Sequence, residues 1–150
     1  MSFSKQEQAV NRIESLLRAF EMSFSRHGPT DTWKAVVFRP NGHWGRGADL
    51  SIAIASDELV VMFGGEFREE LSLTVNEAEV SITYAESLVG ALIANGFTRR
   101  LWKRGDRLIR AEAEVVINKE PKIFKVYQLA IPCGGSMTEE KYPPFMNKVS

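Results

Sequence analysis

Residues that bind metals or form disulfides are scarce in this sequence. Its 150 residues include one cysteine, Cys133, and two histidines, His27 and His43. A single cysteine excludes an internal disulfide, and two separate histidines provide no ligand-spaced cluster for zinc or non-haem iron. We therefore expect no metal site. No serine stands in a nucleophile-elbow context, which argues against a Ser-His-Asp triad.

Net charge and long apolar runs are also missing. Nineteen Lys and Arg residues balance nineteen Asp and Glu residues. The whole chain therefore has no electrostatic drive toward nucleic acid or anionic lipid, and we expect neither a nucleic-acid nor a membrane partner. No apolar signal segment follows Met1 and no uncharged apolar run is long, so we expect a cytoplasmic protein.

The remaining composition is typical of a globular chain, with 44% apolar and 25% charged residues. A chain of this length is about the size of one domain. We expect a single domain over residues 1–150, with an N-terminal helix over 1–28. An irregular tail is expected over 133–150, because Gly134-Gly135 and Pro143-Pro144 interrupt regular structure.

An amphipathic helix is predicted near the start of the chain. Ser4 and Glu7 form a capping-box pattern, and apolar residues then recur at helical spacing until Gly28-Pro29 ends the run. These apolar residues are Val10, Ile13, Leu17, Phe20 and Phe24. An apolar stripe of this kind normally covers one face of a sheet.

The stretch 33–63 contains a strand, a loop and an ambiguous segment. Aromatic and β-branched residues predict a strand over 33–38, and a glycine-rich loop follows over 41–47. Over 48–63 the small residues suit a buried helix, whereas the apolar residues Leu50, Ile52 and Ile54 alternate as in a strand. From the residues alone, a hairpin that turns at Ser56-Asp57 and a helix are equally supported.

The apolar positions change parity further along the chain. Odd positions are apolar from Leu71 to Val75, and even positions from Val80 to Tyr84, which predicts a bulge or turn over 76–79. Residues 85–93 are compatible with a short helix. They are equally compatible with a loop that enters a strand over about 92–103.

The C-terminal half has the clearest pattern. Apolar and charged residues alternate from Ile109 to Ile117, which predicts a half-buried strand between turns at Gly105-Asp106 and at 118–121. A further strand is predicted over 123–131. The connections are short, so neighbouring strands must be antiparallel. The pattern predicts an α+β domain with a C-terminal antiparallel meander.

Five short motifs occur in a specific order over 80–131. They are Ile82-Thr83-Tyr84, Gly90, Leu92-Ile93-Ala94, Arg104-Gly105-Asp106-Arg107-Leu108 and Glu112-Ala113-Glu114-Val115. Their types and order resemble the central strands of hotdog-fold acyl-CoA thioesterases of the phenylacetate-pathway type. The resemblance implies an antiparallel sheet wrapped around a central helix, and a homodimer or homotetramer.

The same resemblance implies a catalytic site. In that family an Asp or Glu on the central helix acts as base or nucleophile, and backbone N–H groups at the helix N-terminus polarise the thioester carbonyl. The implied acid is Asp57, with Asp49 as the second candidate, and the implied amide donors lie near Gly45 and Gly47. His43 is implied as a substrate contact, although Trp44 stands where the family commonly has glycine.

Basic residues concentrate between positions 99 and 110. The resemblance implies that Arg99, Arg100, Arg104 and Arg107 bind the phosphates of coenzyme A, because guanidinium groups suit phosphate geometry. The alternative is that these side chains form a solvated face of the sheet.

Two functions are therefore expected from different classes. The first is an acyl-CoA thioesterase, in which a carboxylate assists the attack of water and coenzyme A enters only as part of the substrate. The second is a non-enzymatic protein-binding or chaperone-like module. Small secretion-type chaperones have a similar order of elements: an amphipathic helix, strands, a second short helix and more strands. Their usual strong acidity is not present here.

Overall fold

The computed structural model describes residues 4–31, 34–44, 49–127 and 136–147. Helix α1 spans Lys5–Ala19 and helix α2 spans Ala78–Asn95. The strands before α2 are β1 Phe24–His27, β2 Val36–Pro40, β3 Gly42–His43, β4 Leu50–Ile54, β5 Glu58–Phe63 and β6 Phe67–Ser72. The strands after α2 are β7 Phe97–Arg104, β8 Arg107–Ile117, β9 Glu120–Tyr127, β10 Ser136–Tyr142 and β11 Met146–Asn147. The fold class is α+β, as the sequence predicts.

Antiparallel pairing organises these strands into two main sheets. The first has the order β1-β2-β4-β5-β6 and the second the order β10-β7-β8-β9, while β3 pairs separately with β11. Within the second sheet, β7, β8 and β9 are consecutive hairpin-connected strands. The predicted C-terminal meander is therefore confirmed.

Helix α1 begins at the predicted cap and ends earlier than predicted. The Ser4 hydroxyl oxygen accepts a hydrogen bond of 3.1 Å from the backbone N–H of Glu7. The buried residues Ala9, Val10, Ile13 and Leu17 form the apolar stripe. Phe24 continues the helical spacing but lies in β1 opposite Pro40. The prediction of a helix up to Gly28-Pro29 is thus wrong for residues 20–27, because Phe24 pairs in the sheet instead.

Helix α2 packs against strands of both sheets. It contacts β5 and β6 of the first sheet, β8 of the second sheet, and α1. Ile82, Leu88 and Leu92 are completely buried, whereas Val80 is 74% exposed. Of the bulge or turn predicted over 76–79, the structure contains a turn over 75–77 that leads into this helix. The alternation from Val80 to Tyr84 belongs to the helix and does not form a strand.

Residues 50–63 form a hairpin. Strands β4 and β5 pair from Leu50 opposite Phe63 to Ile54 opposite Leu59, with the turn at Ser56-Asp57. This is the hairpin alternative of the sequence analysis. The central helix that the thioesterase resemblance implies after Trp44 does not form over these residues, because their alternating apolar side chains fill the buried face of a sheet.

The C-terminal segment is not irregular where the structure describes it. Residues 136–142 form β10 and pair with β7 along their whole length. The Tyr142 and Phe97 rings stack with centroids 4.6 Å apart, and the backbone N–H of Phe145 donates to the carbonyl oxygen of Ile93 at 3.0 Å. The prediction of an irregular tail is therefore wrong for 136–142, because pairing with β7 supplies order that the tail's own sequence does not.

Candidate functional site

The two candidate acids lie at opposite ends of the β4–β5 hairpin. Asp57 is exposed in the turn, and its backbone carbonyl accepts a hydrogen bond from Leu73 N–H at 2.8 Å. Asp49 is exposed just before β4, where its carbonyl accepts a hydrogen bond of 3.3 Å from Gly64 N–H. The rise per residue of a strand separates them by roughly 20 Å. Neither carboxylate stands at a helix N-terminus, so the residues that the structure describes do not assemble the implied oxyanion site around them.

Of the other residues implied for that site, the structure describes only His43. His43 is exposed in β3, where it pairs with Met146. Gly45 and Gly47 lie outside the described residues, as does Cys133. Asp49 lines an open polar cavity of about 600 Å³ together with Arg39 and Asn41. That cavity contains one carboxylate beside one guanidinium, which is not the paired acid and oxyanion donor of thioester hydrolysis.

The four candidate arginines do not converge either. Arg99 lies with Nε 3.1 Å from Oε1 of Glu66, and its Nη1 donates to the Tyr142 hydroxyl at 3.2 Å. Arg100 lies on the opposite face of β7, because successive strand residues alternate. Its Nε is 3.0 Å from Oε2 of Glu139. Arg104 and Arg107 are exposed at the β7–β8 turn.

Arg100 belongs to a row of alternating charges across the outer face of the second sheet. Glu139 of β10, Arg100 of β7, Glu112 of β8 and Lys125 of β9 lie directly opposite one another in that order. Glu112 is only 7% exposed and forms an ion pair with Arg110. The prediction of a solvated basic face is thus confirmed for the exposed Arg104 and Arg107, whereas Arg100 and Arg110 pair with carboxylates on this face.

The structure brings together a different surface, which we call the α2 groove. It consists of two open cavities of about 630 and 480 Å³ that share Ser87 and Asn118. The lining residues of the first are Glu79, Val80, Thr83, Tyr84, Ser87, Ile117, Asn118, Glu120, Pro121 and Lys122. Those of the second are Leu16, Phe20, Glu86, Ser87, Gly90, Ala91, Asn95, Val116, Asn118 and Lys119. The groove therefore runs along α2, between the β8–β9 turn and the end of α1.

Exposed apolar side chains mark this groove. Val80 is 74% exposed, Val116 45% and Phe20 37%. These are three of the six large apolar side chains that are exposed in the described part of the chain. Clustering of exposed apolar residues in one concave surface is typical of a binding site rather than of ordinary surface.

The charged residues at one rim form ion pairs with one another. Arg12 of α1 lies with Nη1 2.9 Å from Oε1 of Glu79 and forms a second ion pair with Glu86. Its Nη2 also donates to the Thr83 hydroxyl at 3.1 Å. Glu79, Thr83 and Glu86 lie at helical spacing on one face of α2, so the single Arg12 guanidinium contacts all three side chains. Two carboxylates share one guanidinium, which leaves this group with an excess negative charge.

The opposite rim is fixed by Lys122 of β9. Its ammonium nitrogen lies 3.4 Å from Oε2 of Glu69, and the Tyr84 hydroxyl donates to the same oxygen at 3.3 Å. Burial raises the pKa of the Tyr84 hydroxyl, and the contact with Lys122 only partly opposes this effect. Burial alone would lower the pKa of Lys122, but its contacts with Tyr84 and Glu69 outweigh burial and raise it. At neutral pH, Lys122 therefore remains charged and Tyr84 remains protonated.

The turn between β8 and β9 is strained and lines the groove between these rims. Asn118 and Lys119 join β8 to β9 with φ angles of +52° and +68°. Positive φ at both central residues suits the twist of a tight hairpin, for which Asn-Gly is the favoured sequence. Lysine at the second position adopts this conformation at a steric cost in free energy. The chain thus retains a charged side chain at a turn where glycine would fit better.

No family model, curated protein or solved structure matches this chain. In the ranges that the structure describes, no three His, Cys, Asp or Glu side chains converge as metal ligands. Neither α1 nor α2, the helices of those ranges, is long and apolar enough to cross a membrane. The assignment of function consequently rests on the α2 groove and its chemistry.

Sequence reasoning misses this groove because its parts are distant in sequence. Val80 and Tyr84 occupy even positions that imitate a strand, although the same residues, with Ser87 and Ala91, also lie at the spacing of one helix face. That second pattern is the signal that could have indicated a helix. No local pattern could have placed Val116 or Phe20 beside it.

Proposed function

We propose that this chain is a non-enzymatic protein-binding module whose α2 groove accepts an apolar segment of a partner protein. The observation that carries the proposal is the concentration of Val80, Val116 and Phe20 in one open groove. Apolar surface of this kind gains free energy when a partner removes it from water.

Ion pairs within the protein occupy the charged groups at both rims of the groove. Arg12 pairs with Glu79 and Glu86, and Lys122 pairs with Glu69. A charged partner residue placed there would have to compete with these internal pairs. From Val80 to Ala91 the helix extends roughly 17 Å. That length accommodates about five residues of an extended segment, or three turns of a helix.

The order of elements also supports a module of the chaperone-like kind. Helix α1, six strands, helix α2 and a further group of strands follow one another along the chain. This is the order on which the sequence-based alternative rests. Element order alone carries no function, so the proposal depends on the groove.

Selection from a peptide-display library tests the proposal. Peptides enriched on the parent protein should carry apolar residues, and their binding should be lost in Val80→Asp. Val75→Asp is a matched control, because Val75 is 79% exposed and is not among the residues lining the groove. Enriched peptides that bind Val80→Asp and the parent protein equally would contradict the proposal.

Thioester hydrolysis is the competing prediction. In its favour, α2 is a buried helix packed against antiparallel strands, as a hotdog arrangement requires, although these strands belong to two sheets and α2 follows β6 rather than the Trp44 loop. Against it, Asp49 and Asp57 lie at opposite ends of one hairpin. A panel of acyl-CoA substrates with a thiol-reactive dye separates the two functions: turnover that Asp57→Asn abolishes would replace our proposal. The homodimer or homotetramer and the cytoplasmic location stay predictions, and size-exclusion chromatography measures the former.

A further inference from the structure

A second surface lies at the opposite end of β8 from the α2 groove. We call it the basic tip, and it consists of Lys103, Arg104 and Arg107 around the turn between β7 and β8. All three side chains are exposed, and none forms an ion pair with a carboxylate of the described residues. Arg100 and Arg110, on the same hairpin, do form ion pairs. The basic tip is therefore a local positive charge on a chain of zero net charge.

The two arginines of the basic tip face each other across the hairpin. Arg104 and Arg107 are direct Cα partners and close the turn at Gly105-Asp106. Directly opposite residues of an antiparallel pair have Cβ atoms about 5 Å apart, and like charges in this position are destabilising. A carboxylate that bridges the two guanidinium groups would remove the repulsion and gain hydrogen bonds to both.

An apolar patch adjoins the basic tip on the same sheet face. Trp102 lies two residues before Arg104 on β7, and Met137 of β10 lies opposite Trp102. The pairing of β7 with β10 is regular at Trp102 and Lys103, although the pairing with β8 shifts register between them. Met137 is 49% exposed. The Arg110 guanidinium carbon lies 4.4 Å from the Trp102 ring centroid. Trp, Met and Arg side chains are enriched at protein interfaces.

We propose that the basic tip and the Trp102–Met137 patch bind a short acidic segment of a partner protein that also carries apolar residues. Its carboxylates bridge Arg104 and Arg107, and an apolar side chain packs on Met137. Charge complementarity identifies the acidic occupant, and the patch favours a peptide over a free anion. The Arg110 guanidinium covers one face of Trp102, which leaves little room for the base stacking that single-stranded nucleic acid uses.

This proposal extends the proposed protein-binding function to a second surface, and its test does not involve the α2 groove. Either can therefore fail without the other. The probe is a fluorescent peptide that alternates Glu and Leu, compared with the same peptide carrying Gln in place of Glu and with single-stranded DNA. Binding is measured by anisotropy at low and high salt.

The Glu-Leu peptide should bind, and the Gln-Leu peptide should not. Added salt should weaken the binding, because exposed charges are screened. The double variant Arg104→Gln, Arg107→Gln should weaken it about tenfold, because it removes both guanidinium groups that the carboxylates bridge. Met137→Ala should weaken binding of the Glu-Leu peptide while leaving binding of an all-Glu peptide unchanged.

The matched control is the double variant Lys34→Gln, Arg39→Gln, which removes the same charge from exposed residues before and within β2. It should bind as the parent protein does. Equal loss in both double variants would show non-specific attraction and overturn the proposal, as would undiminished binding in the tip variant. DNA binding that is as strong and depends equally on the tip would assign the surface to nucleic acid instead. The tip variant should unfold at the parent midpoint or above it, because the substitutions remove a repulsive pair.

Discussion

The Lys122 ammonium nitrogen lies 4.2 Å from the centroid of the Tyr84 ring, a contact that joins β9 to α2. Because Lys122 also pairs with Glu69 of β6, a single side chain connects both sheets to the helix between them. The α2 groove has Lys122 and Tyr84 among its lining residues, so this contact fixes one of its rims.

A double-mutant cycle should measure that connection. Lys122→Met and Tyr84→Leu each remove one partner, and their effects on the free energy of unfolding should be non-additive by about 0.5–1 kcal/mol. Tyr84→Phe retains the aromatic ring, so its effect and that of Lys122→Met should be nearly additive. Additive effects of Lys122→Met and Tyr84→Leu in urea denaturation would show that the contact contributes nothing.

Replacing Lys119 by glycine should stabilise the protein. Lys119 has a φ of +68°, and glycine adopts this conformation without a steric cost, so Lys119→Gly should raise the free energy of unfolding by about 0.5–1 kcal/mol. The same substitution at Lys141, inside β10, should instead lower it by roughly 1 kcal/mol, because glycine weakens a strand. Destabilisation at both positions would refute the role assigned to the turn.

Gly96 should tolerate no side chain. It ends α2 with φ +71° and ψ −153°, and a Cβ there would lie 2.0 Å from the carbonyl oxygen of Tyr142. Gly96→Ala should cost more than about 3 kcal/mol in the free energy of unfolding, because this backbone region is almost exclusive to glycine. Gly105→Ala is the control, since φ is +62° but no atom lies within 4 Å of the added Cβ. It should cost only about 1 kcal/mol.

Glu66 should make stability depend on pH. Burial raises the pKa of its carboxyl and outweighs the attraction of Arg99. The fold thus prefers the protonated form. This preference contributes fully below the ordinary value of 4.5 and is lost as the pH rises through the raised pKa.

Glu66→Gln imitates the protonated carboxyl. It should match the parent in thermal midpoint below pH 4.5 and exceed it near neutral pH. The midpoints are measured as a function of pH by circular dichroism. A variant that is less stable at neutral pH than the parent would show that attraction to Arg99 dominates.

The local sequence pattern predicts those helices and strands that bury only one face. The alternation from Ile109 to Ile117 predicts β8, and Ser4 with Glu7 predicts the start of α1. Helix α2 is harder to predict because it is buried against both sheets and against α1, so its apolar residues surround much of the helix rather than forming one stripe. Strand β10 depends on β7 for its order, which no local pattern of residues 136–142 reveals.

The candidate site is less predictable than the fold for the same reason. The resemblance implied a helix after Trp44 and therefore backbone amides beside a catalytic acid at Asp57. The alternation of Leu50, Ile52 and Ile54 instead favours the hairpin. The α2 groove forms only where three elements meet. Predicting the basic tip requires knowing which arginines form ion pairs with carboxylates. Arg100 and Arg104 are both arginines of β7. Only their neighbours in the described part of the fold distinguish the paired Arg100 from the unpaired Arg104.

The row of alternating charges on the second sheet has a consequence for folding. A slip of two residues between strands leaves every apolar side chain on its original face, so burial cannot distinguish it from the native alignment. Such a slip of β10 would place Met137 or Lys141 opposite Arg100 instead of Glu139, and a slip of β9 would place Ile123 or Tyr127 opposite Glu112 instead of Lys125. The unlike charges that lie opposite one another therefore favour the native strand alignment over slips that burial alone does not distinguish.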